Sequence, residues 1–181
     1  SCSSIVTVND GAKIQDGVNL ASTGGKVNVA TGTFYENVQV DKSVTISGAG
    51  ASNTIVDGNK AGSVFAIGWN DANVDETLSG MTITNGYARE GGGILNDGTL
   101  ALNDVTLTDN TANVNGGGIG NYGTVTMNGG SITGNIANEY GGGICNRDTG
   151  TVNLESGSIT ENTAYYGGGI FSEGTANLDG G

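Results

Sequence analysis

The sequence predicts an all-β fold, a parallel β-helix that winds about three short strands into each coil of about 25 residues. The motif Gly-Gly-Gly-Ile occurs four times, at residues 91–94, 116–119, 141–144 and 167–170, with spacings of 25, 25 and 26 residues. Each copy is followed by segments in which apolar and polar residues alternate, as they do in strands. Glycine supplies 35 of the 181 residues and proline is absent. Because Ile, Val and Thr are interleaved with the glycines, the glycines separate strands rather than form a linker.

Each regular repeat is expected to hold three period-two segments with Gly and Asn at the corners between them. The segments of the first repeat are Ile94-x-Asn96, the strand 99–102 and the short strand 106–108, after which Asn110-x-Ala112 leads back to glycines. The side chains predicted to point into the core are those of Ile94, Leu100, Leu102 and Leu107, with their equivalents in later repeats. We expect the corner Asn residues to take left-handed backbone conformations and to hydrogen-bond from coil to coil.

The first third of the chain is less regular but follows the same pattern. Its candidate strands are 5–8, 26–30, 33–40, 43–47, 54–57 and 63–67. Residues 12–21 are the one helix candidate, with Ile14 and Val18 on a shared face, and they predict a short N-terminal capping helix over the first coil. The chain is therefore predicted to be a single β-helix domain, 1–181. It comprises a cap with irregular coils (1–68), a protruding loop (69–76) and regular repeats (77–181) whose last coil is incomplete.

Segments 14–21, 27–38 and 43–50 together resemble the opening of right-handed parallel β-helix proteins. The Gly-Gly-Gly-Ile-x-Asn and Ser-Ile-Thr-x-Asn repeats resemble those of bacterial and archaeal adhesin-like surface proteins and of chlamydial polymorphic outer-membrane proteins. The resemblance covers nearly the whole chain. It implies a right-handed solenoid and an extracellular or cell-surface location, with a structural or adhesive role that is non-catalytic in many such proteins.

Charge restricts the partners. The chain has 6 basic and 18 acidic residues, giving a formal net charge of −12. Such a surface repels nucleic acid and anionic membranes, and no stretch is long and apolar enough to span a membrane. The expected partners are copies of the same chain, or a glycan or protein on a host or cell surface.

Catalysis is the alternative, because β-helices often carry polysaccharide lyases and hydrolases. The chain has no His, and its two arginines, Arg89 and Arg147, lie in different repeats. Arg147 adjoins Asp148 but no larger acidic cluster, so the sequence assigns no catalytic residue.

A metal site has weak support. Asp71, Asp75 and Glu76 share the predicted loop and could bind Ca²⁺, although neither the EF-hand pattern nor the Gly-Gly-x-Gly-x-Asp calcium repeat occurs. No other cofactor is expected. A third hypothesis is ice binding, because Thr82, Thr84 and their equivalents at 106, 108, 131, 133, 158 and 160 form two files of hydroxyl side chains.

Aromatic residues supply the candidates for ligand or partner contact. They are Trp69 in the predicted loop and Tyr87, Tyr140, Tyr165 and Tyr166, each of which precedes a Gly-Gly-Gly motif. A stripe of such rings could stack on sugars, pack a partner chain, or shield a glycine corner.

The cysteines and the end of the chain suggest contacts between copies. Cys2 and Cys145 fall in coils several layers apart, too far for a direct intrachain bridge, so we expect free thiols or an intermolecular disulfide. Residues 175–181 align with 124–130, which leaves the last coil without its Ser-Ile-Thr strand. Either the chain is a fragment of a longer repeat protein, or the open edge stacks on a neighbour and builds a fibre or sheath.

Overall fold

The computed structural model describes residues 3–180 and confirms the predicted parallel β-solenoid. It is 57% strand and 4% helix, in about seven turns with one short helix. The strands are β1 (Ser3–Val8), β2 (Ala21–Val29), β3 (Gly32–Tyr35), β4 (Val38–Val40), β5 (Val44–Ser47), β6 (Thr54–Asp57), β7 (Phe65–Ile67), β8 (Asp75–Ser79), β9 (Thr82–Thr84), β10 (Tyr87–Glu90), β11 (Ile94–Asn96), β12 (Thr99–Thr108), β13 (Thr111–Asn115), β14 (Ile119–Asn121), β15 (Thr124–Thr133), β16 (Ile136–Ala137), β17 (Ile144–Asn146), β18 (Thr151–Thr160), β19 (Ile170–Ser172) and β20 (Thr175–Leu178); the helix is α1 (Ile14–Leu20).

The strands form three parallel sheets, one on each face of the solenoid. Sheet 1 has eleven strands and runs from β1 through β2, β5, β8, β12, β15 and β18 to β20, with β3, β6 and β9 beside it. Sheet 2 has six strands in the order β4-β7-β11-β14-β17-β19, and sheet 3 consists of β10, β13 and β16. Equivalent repeat positions are direct neighbours, as in the pairs Ile94 with Ile119 and Ile119 with Ile144. Each sequence repeat therefore forms one coil of the solenoid.

The core consists of columns of apolar side chains that run along the solenoid axis. One column holds Val27, Ile46, Leu78, Leu102, Met127 and Leu154, each paired in register with the next. The predicted inward residues Ile94, Leu100, Leu102 and Leu107 are all buried. Their burial removes most of their apolar surface from water, which is the main favourable contribution to folding.

Three strand assignments differ from the sequence prediction. The segments 99–102 and 106–108 form one continuous strand, β12, which bends at Asp104, where φ is 51°. The segment that starts after Asn110, expected to be a connection, is the strand β13 and builds sheet 3. In the first third, the predicted strand 33–40 is divided into β3 and β4.

The corner Asn residues stack as predicted, although their backbone does not take the predicted conformation. Asn96 donates to Asn121 over 2.8 Å, Asn121 donates to Asn146 over 2.7 Å, and Asn146 donates to Ser172 over 2.9 Å. A second ladder joins Asn110, Asn135 and Asn162 at 3.0 Å per step. The left-handed residues lie one position before the second ladder, at Asp109, Gly134 and Glu161. The side chains of Asn96, Asn110, Asn121, Asn135 and Asn146 are buried inside the coils, and that of Asn162 is half-buried.

The glycine triplets are required by close packing of the backbone. Gly116 has φ of 68°, a left-handed conformation that favours glycine. A Cβ atom at Gly117 would overlap the carbonyl oxygens of Ile136 and Gly142 in the next coil. The middle glycine therefore allows consecutive coils to meet where the chain passes from sheet 3 to sheet 2.

The predicted cap is present as α1, whose Ile14 and Val18 are buried. A residue from another coil holds its first turn: the Glu36 carboxylate accepts the backbone N–H of Ile14 over 2.6 Å and that of Gln15 over 3.1 Å. A carboxylate at this end of a helix satisfies free donors and interacts favourably with the helix dipole.

We expect Glu36→Ala to lower the free energy of unfolding by about 1–2 kcal/mol, because two helical N–H groups lose their acceptor. Glu36→Gln, which keeps one oxygen acceptor but loses the charge, should lower it by less. Urea denaturation measures both. A Glu36→Ala variant as stable as the parent protein would show that this contact does not hold the cap.

Candidate functional site

The outer face of sheet 2 carries most of the aromatic side chains of the regular coils, together with several charged ones. Three files of residues run along it, one residue per coil. The first file lies just before the glycine triplets and consists of Glu90, Asn115, Tyr140 and Tyr166. The second file occupies the outward positions of the strands and consists of Ala66, Leu95, Gly120, Cys145 and Phe171. The third file lies just after the strands and consists of Asp97, Tyr122, Arg147 and Glu173. By the strand spacing, this face is about 19 Å long from β7 to β19.

One end of this face forms a cleft beside Trp69, which we call the Trp69 cleft. Its lining residues are Ser63, Trp69, Ala88, Arg89, Glu90, Leu95, Asp97 and Tyr122. They line two adjoining open depressions of about 260 and 250 Å³, which share Trp69, Glu90 and Leu95. The Trp69 side chain is 63% exposed, although a large apolar ring normally packs into the interior. The cleft thus offers an apolar surface next to ionisable groups.

Two carboxylates face this cleft from opposite ends of β11, and their environments differ. Glu90 accepts hydrogen bonds from the Tyr122 hydroxyl and, over 3.2 Å, from Asn115 Nδ2. Burial and the hydrogen bond to Glu90 raise the pKa of Tyr122, so its phenol stays protonated and acts as a donor. The Asp97 carboxylate accepts no hydrogen bond from any residue that the structure describes, and burial together with the charge of Glu90 raises its pKa.

The other end of the face carries a tyrosine cluster made of Tyr140, Tyr165, Tyr166 and Phe171. Tyr140 stacks on Tyr166 with ring centroids 5.2 Å apart, and it meets Phe171 at 4.5 Å. Tyr165 contacts Tyr166 edge-on at 4.6 Å and is 77% exposed. Arg147 lies over the Tyr140 ring, 5.7 Å from its centroid. These rings cover one another only in part, which leaves an aromatic surface open to solvent.

The aromatic residues singled out in the sequence therefore divide between several places. Tyr140, Tyr165 and Tyr166 come together, while Trp69 lies near the opposite end of the same face. Tyr87 is separate: it pairs with Thr111 in sheet 3, and its hydroxyl donates to Asn113 Oδ1 over 2.7 Å. A continuous stripe through all four tyrosines is not formed. The residue in register with Tyr140 in the coil of Tyr87 is Glu90, and Tyr87 lies three residues before it.

The proposed calcium ligands are not brought together. The loop is shorter than predicted, because Asp75 and Glu76 belong to β8. Asp75 is exposed on the outer face of that strand, whereas Glu76 is 2% exposed and points into the core. Asp71 stays in the loop, where it accepts hydrogen bonds from Asn73. Within residues 3–180, no three or more His, Cys, Asp or Glu side chains are grouped as a metal site.

Cys145 lies in the middle file of this face but is buried, with 0% exposure. Burial raises the pKa of its thiol to about 11, which keeps it in the unreactive protonated form. An intermolecular disulfide at Cys145 would require the covering side chains to move aside. Cys2, its suggested counterpart, lies outside the described residues.

Arg147, considered as a catalytic cation, is already engaged within the protein. Its guanidinium forms an ion pair with Glu173 at 3.3 Å while it covers Tyr140. The backbone N–H of its neighbour Asp148 points at Glu173 over 3.5 Å. These contacts connect the last two coils of sheet 2.

The hydroxyl files suggested for ice binding lie in register on the outer face of sheet 1. Thr82 pairs with Thr106, and Thr106 with Ser131; Thr84 pairs with Thr108, and Thr108 with Thr133. Ice binding itself stays a prediction, for which thermal hysteresis is the direct measurement.

Two larger depressions, of about 310 and 370 Å³, flank α1. Their polar groups already bond to one another: Gln15 exchanges hydrogen bonds with the backbone of Gln39, Glu36 caps the helix, and Lys42 donates to the carbonyl of Ala21 over 2.7 Å. The Trp69 cleft, where the Asp97 carboxylate has no such partner, is therefore the candidate functional site.

Searches with protein-family models, among curated proteins and among solved structures each found no match to this chain. In the part of the chain that the structure describes, no helix is long and apolar enough to cross a membrane. A fold alone does not determine function, which depends on the chemistry of the site.

Glu90, Asp97 and Tyr122 were not recognised as site residues from the sequence. Their positions in the repeat nevertheless indicate that they lie close together. Glu90 directly precedes a Gly-Gly-Gly-Ile motif, Asp97 follows the same motif, and Tyr122 occupies the position of Asp97 one repeat later. Residues at such positions flank the same strand and meet at its outer face once the coils stack.

Proposed function

We propose that this protein is a non-catalytic, extracellular surface protein of adhesive function that binds a glycan along the outer face of sheet 2. The observation that carries the proposal is the exposed indole of Trp69 in a cleft lined by two carboxylates and a phenol. A pyranose ring has an apolar face of C–H groups and a rim of hydroxyls. An aromatic ring beside carboxylate acceptors complements both features.

The shape of the face also suits an extended ligand. The Trp69 cleft and the tyrosine cluster lie on one face, which spans four coil spacings from β7 to β19, about 19 Å at the strand spacing. A linear glycan laid parallel to the solenoid axis would reach both aromatic surfaces. Two weak contacts on one chain reinforce each other, as expected for an adhesive protein.

The test is a glycan array followed by calorimetry on the best ligand. We expect Trp69→Ala to weaken binding about tenfold, as for the loss of about 1.5 kcal/mol of aromatic contact. Tyr35→Ala is the matched control, because Tyr35 is 69% exposed but lies near α1 and away from the cleft. An array without ligands, or equal binding by the parent protein and Trp69→Ala, would contradict glycan recognition at this cleft.

Hydrolysis of a glycan is a second candidate, favoured by one observation. Glycoside hydrolases pair an ionised carboxylate with a protonated one. The raised pKa of Asp97, which lies beside the hydrogen-bonded Glu90, favours the protonated form of Asp97. Mass spectrometry of array ligands after incubation with the protein separates the two functions. Shortened glycans that persist with the parent protein but not with Asp97→Asn would indicate catalysis, whereas intact glycans support binding alone.

An extracellular location belongs to the same proposal. The net charge of −12 and the resemblance of the repeats to those of adhesin-like proteins support an extracellular, cell-surface setting. Edge-to-edge association into a fibre or sheath is a separate hypothesis that does not depend on the Trp69 cleft.

A further inference from the structure

We propose that the Trp69 cleft recognises a protonated amino group, so that the ligand is a polysaccharide rich in unacetylated amino sugars. This inference rests on the proposed glycan-binding function and names its ligand class. It follows from the charge of the cleft, from the partners of each carboxylate and from the exposed indole.

The lining of the Trp69 cleft has two carboxylates, Glu90 and Asp97, against one cation, Arg89. Among residues 3–180 the only ion pair joins Arg147 to Glu173, so neither Glu90 nor Asp97 forms one. The donors to Glu90, the Tyr122 hydroxyl and the Asn115 amide, are uncharged and leave its charge in place. Arg89 lines the adjoining cavity but is exposed and pairs with neither carboxylate.

A cation placed between the carboxylates would relieve their repulsion. The carboxylates of Glu90 and Asp97 raise each other's energy when both are ionised, because like charges at short range disfavour ionisation. An ammonium group carries one positive charge and three N–H donors, and Asp97 has its full acceptor capacity free. A carboxylated or sulfated glycan would add to the repulsion, and a neutral one would leave it unchanged.

Trp69 completes the same recognition. Indole is the strongest of the aromatic rings in attracting cations over its face, and it also covers the apolar face of a sugar. An amino sugar presents both features within one ring. A lysine side chain offers the ammonium group but no flat apolar ring, so the cleft favours the sugar over a basic polypeptide.

The experiment compares two ligands of equal length that differ only in charge. Binding of the glucosamine hexamer and the N-acetylglucosamine hexamer is measured by calorimetry, at a pH below the pKa of the sugar amine. We expect the glucosamine hexamer to bind about tenfold more tightly. Asp97→Asn and Glu90→Gln should each remove most of that preference without weakening binding of the acetylated hexamer. Asp75→Asn is the matched control, because it removes one exposed carboxylate outside the cleft.

Each result supports or overturns the inference. Equal affinity for the two hexamers, lost in Trp69→Ala, would leave glycan binding intact and overturn amine recognition. A lysine-rich peptide that binds more tightly than the glucosamine hexamer, in an Asp97-dependent way, would make the partner a polypeptide and overturn both proposals. Absence of binding to either hexamer overturns amine recognition alone if the array still yields a Trp69-dependent neutral glycan. Circular dichroism of each variant confirms that it is folded.

Discussion

Replacing Glu76 by Leu is expected to stabilise the protein by about 3 kcal/mol at pH 7 and by more at pH 9. Glu76 occupies an otherwise apolar column of the core, between Val44 on one coil and Leu100 on the next. Its side chain is 2% exposed, and neither carboxyl oxygen has a hydrogen-bond partner. Leucine fits a column that already holds Leu100, and it brings no polar group into the core.

The size of the effect follows from the protonation of the buried acid. Burial raises the pKa of Glu76 from 4.5 to about 9, and the nearby backbone amide of Val44 offsets this rise only in part. Between these two values the folded protein holds a proton that the unfolded chain releases. Stability is therefore lost as the pH rises from about 4.5 through about 9, and it is unaffected by this group below that window.

Urea denaturation at pH 5, 7 and 9 measures the free energy of unfolding across this window. The parent protein should lose several kcal/mol more than Glu76→Leu between the first and last of these conditions. Glu76→Gln should also abolish the pH dependence but stabilise less, since its buried amide lacks partners. Asp75→Asn changes the neighbouring exposed carboxylate and should keep the parental profile. Parallel profiles for the parent protein and Glu76→Leu would show that Glu76 is ionised in the folded state.

Glu76 also shows where the sequence ceases to be informative. The Gly-Gly-Gly-Ile period predicted the coils, the inward columns and the Asn ladders, because equivalent positions recur at a fixed spacing. The stretch 69–76 does not repeat the motif in its sequence, so Asp71, Asp75 and Glu76 read as one acidic loop. The alternation of Glu76 and Leu78 matches that of Leu100 and Leu102, and this was the available signal that Glu76 points inward.

The Trp69 cleft was only half predictable for a related reason. An exposed tryptophan in a pattern-breaking loop marks a contact residue by itself. Its polar partners, Glu90 and Asp97, are separated in the sequence by the whole of β11, yet both line the same cavity. Periodicity predicts which residues share a file along the axis, but it does not predict which loop side chain folds over that file.

A substitution that interrupts the first Asn ladder, which runs through Asn96, Asn121 and Asn146, should be among the most destabilising in the core. The Asn121 amide group lies within hydrogen-bond distance of Asn146 Oδ1 and of the carbonyls of Gly123 and Thr151. Its own carbonyl oxygen accepts from Asn96. Asn121→Val removes all four contacts and leaves buried polar groups without partners, so we expect a loss of about 3–5 kcal/mol in urea denaturation.

The same column shows how the loss can be recovered. In the first coils, Val40 and Ile67 occupy the positions in register with Asn96, so apolar side chains already fit this corner. Replacing both partners of a buried hydrogen bond by apolar groups can be nearly neutral, whereas replacing one leaves the other unpaired. Asn96→Val should therefore cost less in the background of Asn121→Val than in the parent protein.

A double-mutant cycle over Asn96→Val and Asn121→Val measures that coupling directly. We expect the double variant to be more stable than the sum of the two single losses predicts, by about 1–3 kcal/mol. Ser172→Ala, at the exposed end of the ladder, serves as the control and should cost about 1 kcal/mol or less, because it removes one hydrogen bond to Asn146. Strict additivity would mean that the amides act through their backbone contacts alone, and the ladder would then contribute no side-chain cooperativity between coils.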